Sequence, residues 1–290
     1  MRPAKGMPNL RKRALMVGAL GAAGAAATLG TTGVVRPARA QLLQSGIRED
    51  SILVKVKKEG ALKIGFSQSP PLFYIDPKTG QATGGYKDLC DLLCKEMEVQ
   101  PRYQEETWAN STVSLRAGNY DLFGSSLTAI TSRMMTIDYV GPLWSKGYLF
   151  MVHKDNAGRF KRAADLNRED VVISVGAGTS EAQRVPVLFP KAKMITISGG
   201  SLLAVEPVRA KRAHAFGAAD VDVIFSHNKN KDWAVILDPN NPIERRWTTW
   251  AIRYGDPEWK SFLTTWIQNQ VLMGEVKRLY DFYVDKTMKG

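Results

Sequence analysis

The chain has 290 residues, of which 44% are hydrophobic and 23% charged, a balance typical of a soluble globular protein and not of a disordered one. The length is enough for one large or two ordinary domains with hydrophobic cores. The formal net charge is +12, but residues 1–40 hold seven Lys/Arg and no acid, so residues 41–290 carry 33 basic and 28 acidic side chains, or +5. Because these form no basic stripe interleaved with aromatics, we expect no nucleic-acid partner.

Residues 1–40 have the features of an export signal. Arg11–Arg13 give a basic start, Ala14–Val35 is uncharged and rich in Ala, Gly and Leu, and Ala38–Ala40 fits a small-residue cleavage site. We expect cleavage after Ala40 and a periplasmic mature protein. The alternative is an uncleaved anchor, since 22 uncharged residues could just span a bilayer. The many Gly, Ala and Thr residues make a poor anchor, so cleavage is the favoured interpretation.

The two cysteines, Cys90 and Cys94, lie four residues apart in a segment with helical periodicity. On adjacent turns of one helix their Cβ atoms point poorly for a disulfide, so we expect two reduced core residues that face the sheet. No metal-ligand spacing connects the three histidines. We therefore predict neither a metal site nor a cofactor.

The segments after residue 60 alternate short apolar runs with helical patterns. Two prolines interrupt the stretch Ser67–Tyr74 directly after the first run, at the carboxyl end of a strand, where open α/β sheets bind ligands. The predicted elements are strand Ala61–Phe66, helix Tyr86–Met97, strand Gln100–Glu105, helix Val113–Gly118 and a buried strand Tyr120–Gly124.

The strand Tyr120–Gly124 leads into residues that suit a carboxylate. Ser126 and Thr128 place small hydroxyls at its end, and Thr131 can cap a short helix whose first turn carries Arg133. A guanidinium is planar, always charged and able to hold both oxygens of a carboxylate. The alternative is a surface arginine after an ordinary capped helix, and these residues alone do not decide between the two.

Gly147–His153 is a continuous apolar strand with no helix before it, which we interpret as a crossover into another lobe. The alternation of elements that follows indicates a parallel sheet covered by helices on both faces. Thr248–Tyr254 is the predicted return crossover. The predicted elements are strand Val171–Val175, helix Glu181–Leu188, strand Lys193–Ile197, helix Leu202–Lys211, strands Ala213–Gly217 and Trp233–Leu237, a helix capped at Gly255–Glu258 that ends at Met273, and a last helix Glu275–Val284.

The stretch Asp121–Pro142 resembles the family 3 extracellular solute-binding proteins, the polar-amino-acid receptors of ABC importers. Ser126, Thr128, Arg133 and Pro142 follow Asp121 at the spacings of that family. Weaker matches extend the resemblance over residues 55–285. It implies the α/β fold of a type II periplasmic binding protein, in which two lobes, each a mostly parallel sheet covered by helices, are joined by two crossover strands. The implied boundaries are 41–148 for the first lobe, 149–247 for the second and 248–290 for the return to the first.

The resemblance also implies a ligand between the lobes. Arg133, Ser126 and Thr128 would hold its carboxylate from the first lobe, and Thr179 and Ser180 would meet it from the second. An aromatic ring would lie against the ligand's side chain, although either candidate could simply pack within its lobe. These candidates are Tyr74 and Trp108.

The acid that holds the α-amino group in that family has no direct match here, because Ala219 stands at its position. Asp220 and Asp222 are close by. Either a one-residue change of register brings Asp220 to the ammonium, which we favour, or the ligand has no ammonium group.

We therefore expect a monomeric periplasmic receptor, not an enzyme, that delivers an amino acid or a related small carboxylate to the membrane permease of an ABC transporter. One alternative is a periplasmic dehydratase of prephenate-like substrates, in which Arg133 holds a carboxylate and Glu181 protonates a leaving hydroxyl. The sequence shows no Ser/His/Asp arrangement and no motif-placed pair of carboxylates. Another alternative is a sensor or accessory protein that has kept the fold and lost the transporter.

Overall fold

The computed structural model describes residue 42 and residues 45–288. The predicted export signal, its cleavage site and the alternative anchor Ala14–Val35 lie outside these residues. Among the residues described, no helix is both long and apolar enough to cross a membrane.

The first lobe is built from strands and helices that alternate along the chain. Its elements are α1 (Ile52–Glu59), β1 (Ala61–Phe66), the hairpin strands β2 (Tyr74–Ile75) and β3 (Ala82–Thr83), α2 (Gly85–Glu96), β4 (Gln100–Glu105), α3 (Ser111–Ala117), β5 (Leu122–Thr128) and the one-turn α4 (Thr131–Met134).

A long strand leads out of this lobe and a second one returns. The remaining elements are β6 (Asp138–His153), β7 (Val172–Gly176), α5 (Ser180–Leu188), β8 (Lys193–Ile197), α6 (Glu206–Arg209), β9 (Ala215–Ala219), α7 (Asp220–Asn228), β10 (Ala234–Leu237), β11 (Ile243–Ile252), α8 (Pro257–Leu272) and α9 (Glu275–Met288), with short 3-10 helices at Lys154–Asn156, Ala163–Leu166 and Ser201–Val205.

Nine of these strands form one sheet in the order β4-β1-β5-β11-β6-β9-β7-β8, with β10 paired to β6. Strands β4, β1 and β5 are parallel in the first lobe, and β8, β7 and β9 are parallel in the second. Strands β6 and β11 pair antiparallel between the two groups, and the two predicted lobe boundaries fall inside them. The carboxyl ends of the parallel strands consequently meet at the junction of the two lobes.

Each lobe has its own hydrophobic core. In the first, α2, α8 and α9 pack on the sheet around Phe66, Trp250 and Trp259. In the second, two clusters on opposite faces of the sheet centre on Phe150 and Phe216. Burial on both faces explains why the strands of the second lobe have continuous apolar sequences.

Several predicted elements are confirmed at the predicted residues, including β1, β4 and β8. Cys90 and Cys94 are buried and unpaired on α2, as expected. The predicted helix Leu202–Lys211 was wrong in type: it is a 3-10 helix followed by one α-helical turn, because Pro207 removes a backbone donor within it. Helix α7 was not predicted at all.

Candidate functional site

A small polar cavity lies between the lobes, where the carboxyl ends of β5 and β7 face each other. Its volume is about 20 Å³, room for little more than one water molecule, so the lobes are closed on it. Four of the lining side chains are ionisable, two of them basic and two acidic, so the formal net charge of the lining is zero. The lining residues are Ser69, Trp108, Ser126, Thr128 and Arg133 of the first lobe, Lys146 of β6, and Thr179, Ser180, Glu181, Ser201 and Asp222 of the second lobe.

Arg133 lies on α4 and is 7% exposed. Its Nη2 donates to the carbonyl oxygen of Gly178 in the second lobe at 2.7 Å, and its Nη1 donates to that of Thr128 at 3.5 Å. The guanidinium therefore faces the opposite lobe and not bulk solvent. The predicted capping role of Thr131 was wrong, because α4 begins after Ile130 and has no side-chain cap.

The second lobe contributes the N-terminal end of α5 to the same cavity. Thr179 caps the helix: its hydroxyl accepts from Ala182 N at 3.3 Å and donates to Gly176 O at 2.8 Å. Ser180 Oγ lies 3.1 Å from Thr128 Oγ1 across the cleft and 3.2 Å from Glu181 Oε2. Thr179 is thus committed to its own helix, whereas Ser180 joins the two lobes.

The backbones of the two lobes lie close together at Gly178. Its φ is +74°, and a Cβ added there would lie 2.3 Å from Ala109 Cα of the first lobe. Such a contact is far shorter than any van der Waals separation. Closure of the cleft therefore needs a residue without a side chain at this position.

Asp222 supplies a buried carboxylate to the same cavity. It accepts hydrogen bonds from Ser69 Oγ at 3.4 Å and Ser201 Oγ at 3.3 Å. Burial raises the pKa of Asp222 to about 6; the nearby Lys146 ammonium acts against this rise and the Glu181 carboxylate adds to it. A cation placed beside Asp222 would relieve the cost of burying its charge.

Asp220 lies outside the cavity lining. Its carboxylate accepts from Gly147 N at 3.1 Å and from Val221 N at 2.9 Å, so it ties the start of α7 to strand β6. Because successive helical residues are about 100° apart, Asp220 and Asp222 project from nearly opposite sides of α7. Only one of them can face the cleft, and in this structure it is Asp222.

Tyr74 also lies away from the cavity. The chain turns tightly after β1, where Ser69 N donates to Phe73 O at 2.7 Å and the Phe73 ring stacks on Phe66 with centroids 4.4 Å apart. Tyr74 is thereby carried into the β2–β3 hairpin, opposite Thr83. The residue that this segment contributes to the cavity is Ser69.

Trp108 lines the cavity and packs edge-on against Phe123, with ring centroids 5.9 Å apart. Its indole Nε1 is buried and has no hydrogen-bond partner in the described part of the chain.

Three residues that line the cavity were not predicted from the sequence: Ser69, Lys146 and Ser201. Ser201 had a local signal, since it follows Gly199-Gly200 after a strand of the second lobe; Lys146 had none.

Across residue 42 and residues 45–288, no group of three or more His, Cys, Asp or Glu side chains could hold a metal ion.

Two α/β lobes, joined by two strands and closed on a charged polar cavity, define a class of hinged receptors for small solutes. The chain belongs to the bacterial extracellular solute-binding proteins, family 3, which residues 62–286 match.

Two curated relatives of the chain are named for the amino acids that they bind. The chain is 26% identical to the L-cystine-binding protein TcyJ of Escherichia coli strain K12 over 133 residues, which are 46% of this chain and 50% of that protein. It is 27% identical to the L-arginine-binding protein of Pseudomonas aeruginosa over 116 residues, or 40% and 44% of the two chains. The chain thus matches about half the length of these curated relatives.

A solved structure matches over a longer span. The crystal structure of the ancestral amino acid-binding protein AncCDT-1, described as a precursor of cyclohexadienyl dehydratase, superposes with a TM-score of 0.73 at 28% identity. The match covers 81% of this chain and 100% of that one. The predicted two-lobe fold is confirmed.

Proposed function

We propose that this protein is an exported receptor that binds an amino acid between its lobes and delivers it to the permease of an ABC importer. The observation that carries the proposal is the pair of opposite charges in one cavity, Arg133 from the first lobe and Asp222 from the second. The two charged ends of an amino acid zwitterion match this pair. Its carboxylate would lie against Arg133 and its ammonium against Asp222.

The hydrogen-bonding groups around the two charges suit the same ligand. Ser126, Thr128 and Ser180 line the same cavity as Arg133 and can offer their hydroxyls to a carboxylate, and the N-terminus of α5 adds backbone N–H groups that favour an anion. Charge-assisted hydrogen bonds contribute roughly 1.5–3 kcal/mol each. Three or four of them support a dissociation constant of about 1 μM or lower, equivalent to about −8 kcal/mol.

Ligand entry needs an opening of the lobes. A cavity of about 20 Å³ is too small for any amino acid, because small-molecule sites usually enclose about 300–1,000 Å³. Opening would break the bond from Arg133 to Gly178 O and free the guanidinium for a ligand carboxylate. Bending of β6 and β11 would supply the motion, since these two strands connect the lobes.

The family and the names of the two curated relatives support binding of an amino acid without turnover. Periplasmic location, a monomeric state and a permease partner are part of the same proposal. Glu181 lies in the cavity, where the dehydratase alternative would need an acid, but the curated relatives are binding proteins.

The test is a thermal-shift and calorimetric screen of the exported protein against the common L-amino acids and small hydroxy acids. At one hundred times its dissociation constant, a true ligand should stabilise the protein by about 2.7 kcal/mol. Arg133→Ala should abolish that shift. Arg116→Ala, which removes an exposed arginine of the same lobe outside the cavity, should leave it intact.

The proposal fails if no amino acid binds, or if the Arg133→Ala protein keeps the full ligand-induced shift. If the protein turned over a cyclic hydroxy acid, the receptor proposal would be rejected in favour of the dehydratase alternative.

A further inference from the structure

The two crossover strands β6 and β11 depart from regular pairing at one end of β11. Two residues of β11, Glu244 and Arg245, lie opposite the single residue Gly147 of β6. An extra residue of this kind is a β-bulge, which bends the strand that contains it and increases its twist. We call Glu244 and Arg245 the hinge bulge. The pairs on either side of it are Ile243 with Tyr148 and Arg246 with Lys146.

The hinge bulge lies where the sheet passes from one lobe to the other. On one side of it, Trp247 O accepts from Ala129 N, directly after β5 of the first lobe, at 3.0 Å. On the other side, Tyr148 pairs with Ala219 of β9 in the second lobe. Bending of β11 at the bulge therefore changes the angle between the lobes.

Gly147 gives the bulge room to form on the opposite strand. A Cβ added there would lie 2.6 Å from Pro242 Cβ and 3.1 Å from Ile243 O. The backbone N–H of Gly147 donates to Asp220 at the start of α7, at 3.1 Å. Strand β6 is thus held to the second lobe at the point where β11 bends.

Glu244 has a backbone conformation that is unusual for its residue type. Its φ is +51°, in the left-handed region. Bulges that use this conformation usually have glycine there, because a Cβ crowds the following carbonyl oxygen. A strained residue of this kind persists only where its surroundings hold it in place, often at a switch region. The contacts of the Glu244 side chain therefore need to be examined.

The Glu244 carboxylate connects the hinge bulge to the ligand site. Its side chain is 14% exposed, and its Oε1 accepts from Arg184 Nε at 2.7 Å and from Arg246 Nε at 3.1 Å. Arg184 lies on α5, one turn after Ser180 and Glu181, which line the polar cavity. One carboxylate thus joins the bend of β11 to the helix that forms the second wall of the site.

We infer that Glu244 is a positioning residue of the receptor, an inference that rests on the proposed function. Through Arg184 it holds α5 at a fixed orientation to the crossover strands, so that Ser180 reaches Thr128 across the cleft. Loss of the carboxylate leaves the fold intact and weakens closure of the lobes on the ligand.

Glu244→Gly separates this role from a purely structural one. Glycine adopts the conformation of the bulge without strain, so the urea midpoint should equal or exceed that of the wild-type protein. Affinity should nevertheless fall about 2- to 30-fold in calorimetry, with faster dissociation in stopped-flow fluorescence. The probes are the twenty common L-amino acids and L-cystine, and the tightest binder of the wild-type protein is used for every variant.

A double-mutant cycle tests the contact itself. Arg184→Gln should weaken binding about as much as Glu244→Gln, and the double variant should lose no more affinity than either single one, because both act through one contact. The matched control is the solvent-exposed ion pair of Arg159 and Asp170, in the same lobe but outside both crossover strands. Arg159→Gln and Asp170→Asn should leave the affinity within twofold of wild type.

Wild-type affinity in Glu244→Gly, a loss of affinity that comes with a lower urea midpoint, or additive losses in the double variant each overturn the inference and leave the receptor proposal standing. If Glu244→Gly does not fold, Arg184→Gln decides, and unchanged affinity in that variant overturns the inference.

If no amino acid binds the wild-type protein, the proposed function fails, and X-ray scattering without ligand then decides on Glu244. A larger radius of gyration in Glu244→Gly than in the wild-type protein supports its control of the angle between the lobes. An equal radius overturns it.

Discussion

Asp222→Asn should stabilise the ligand-free protein while it weakens ligand binding. The pKa of Asp222 is raised from its ordinary 3.8 to about 6, a rise of about 2 units. At about 1.4 kcal/mol per unit, burial of the ionised carboxylate costs the folded state roughly 3 kcal/mol at pH 7.5. An asparagine keeps the shape and can still accept from Ser69 or Ser201, so most of this cost should disappear.

The stability difference between Asp222→Asn and the wild-type protein should depend on pH. Folded protein takes up a proton at Asp222 near pH 6, and the unfolded chain does so only near pH 3.8, so the destabilisation grows as pH rises through this interval. Urea unfolding without ligand should therefore show Asp222→Asn more stable by about 2–3 kcal/mol at pH 7.5 and equal to wild type near pH 3.5.

Asp220→Asn is the matched control on the same helix. Its carboxylate accepts from two backbone N–H groups, so its loss should destabilise the protein by about 1 kcal/mol. Amino-acid affinity at pH 7.5 should fall about 10- to 100-fold in Asp222→Asn, because the ammonium loses a charged partner. Unchanged stability at pH 7.5, or the same gain at both pH values, would refute the burial argument.

Three further predictions follow from the site and the core. Arg133→Lys should weaken amino-acid binding about 10- to 100-fold in calorimetry, since an ammonium cannot hold both carboxylate oxygens; affinity within twofold of wild type would contradict this. Gly178→Ala should keep the lobes apart, because the new Cβ meets Ala109, so X-ray scattering should show no compaction on ligand addition. Burial raises the pKa of Cys90, and that of Cys94 to about 12, so both thiols should react with maleimide far faster in urea than in the folded protein; equal rates would count against the buried assignment.

The fold was largely predictable because its signals are local. The run Ala61–Phe66 and the run Lys193–Ile197 are bounded by turn residues and form strands at those residues. Helix α7 was not predicted because Asp220–Asn228 mixes acids with apolar residues and has no side-chain cap to mark its start. A sequence without a cap or a clear apolar stripe takes its structure from tertiary packing.

The site was only partly predictable, for a geometric reason. Ser126 and Thr128 are among the last residues of β5, and Arg133 follows on α4, so their sequence spacing fixes their position at the carboxyl end of one strand. Which of Asp220 and Asp222 faces the cleft depends on how α7 is rotated about its axis. Residues two positions apart on a helix project from nearly opposite sides of it, so a small error in the predicted helix changes the answer. Lys146 reaches the cavity from a crossover strand, where neighbouring sequence carries no sign of what the strand will face.

Strands β6 and β11 connect the two lobes through the sheet. Strand β11 pairs with β5 of the first lobe, β6 pairs with β9 of the second lobe, and β6 and β11 pair with each other. Any solute that draws the halves together must alter the twist of this shared pair. The outer faces of both halves then change their mutual orientation by an amount that grows with distance from the pair. A membrane partner that touches only those faces could distinguish a loaded molecule from an empty one without contact with the solute.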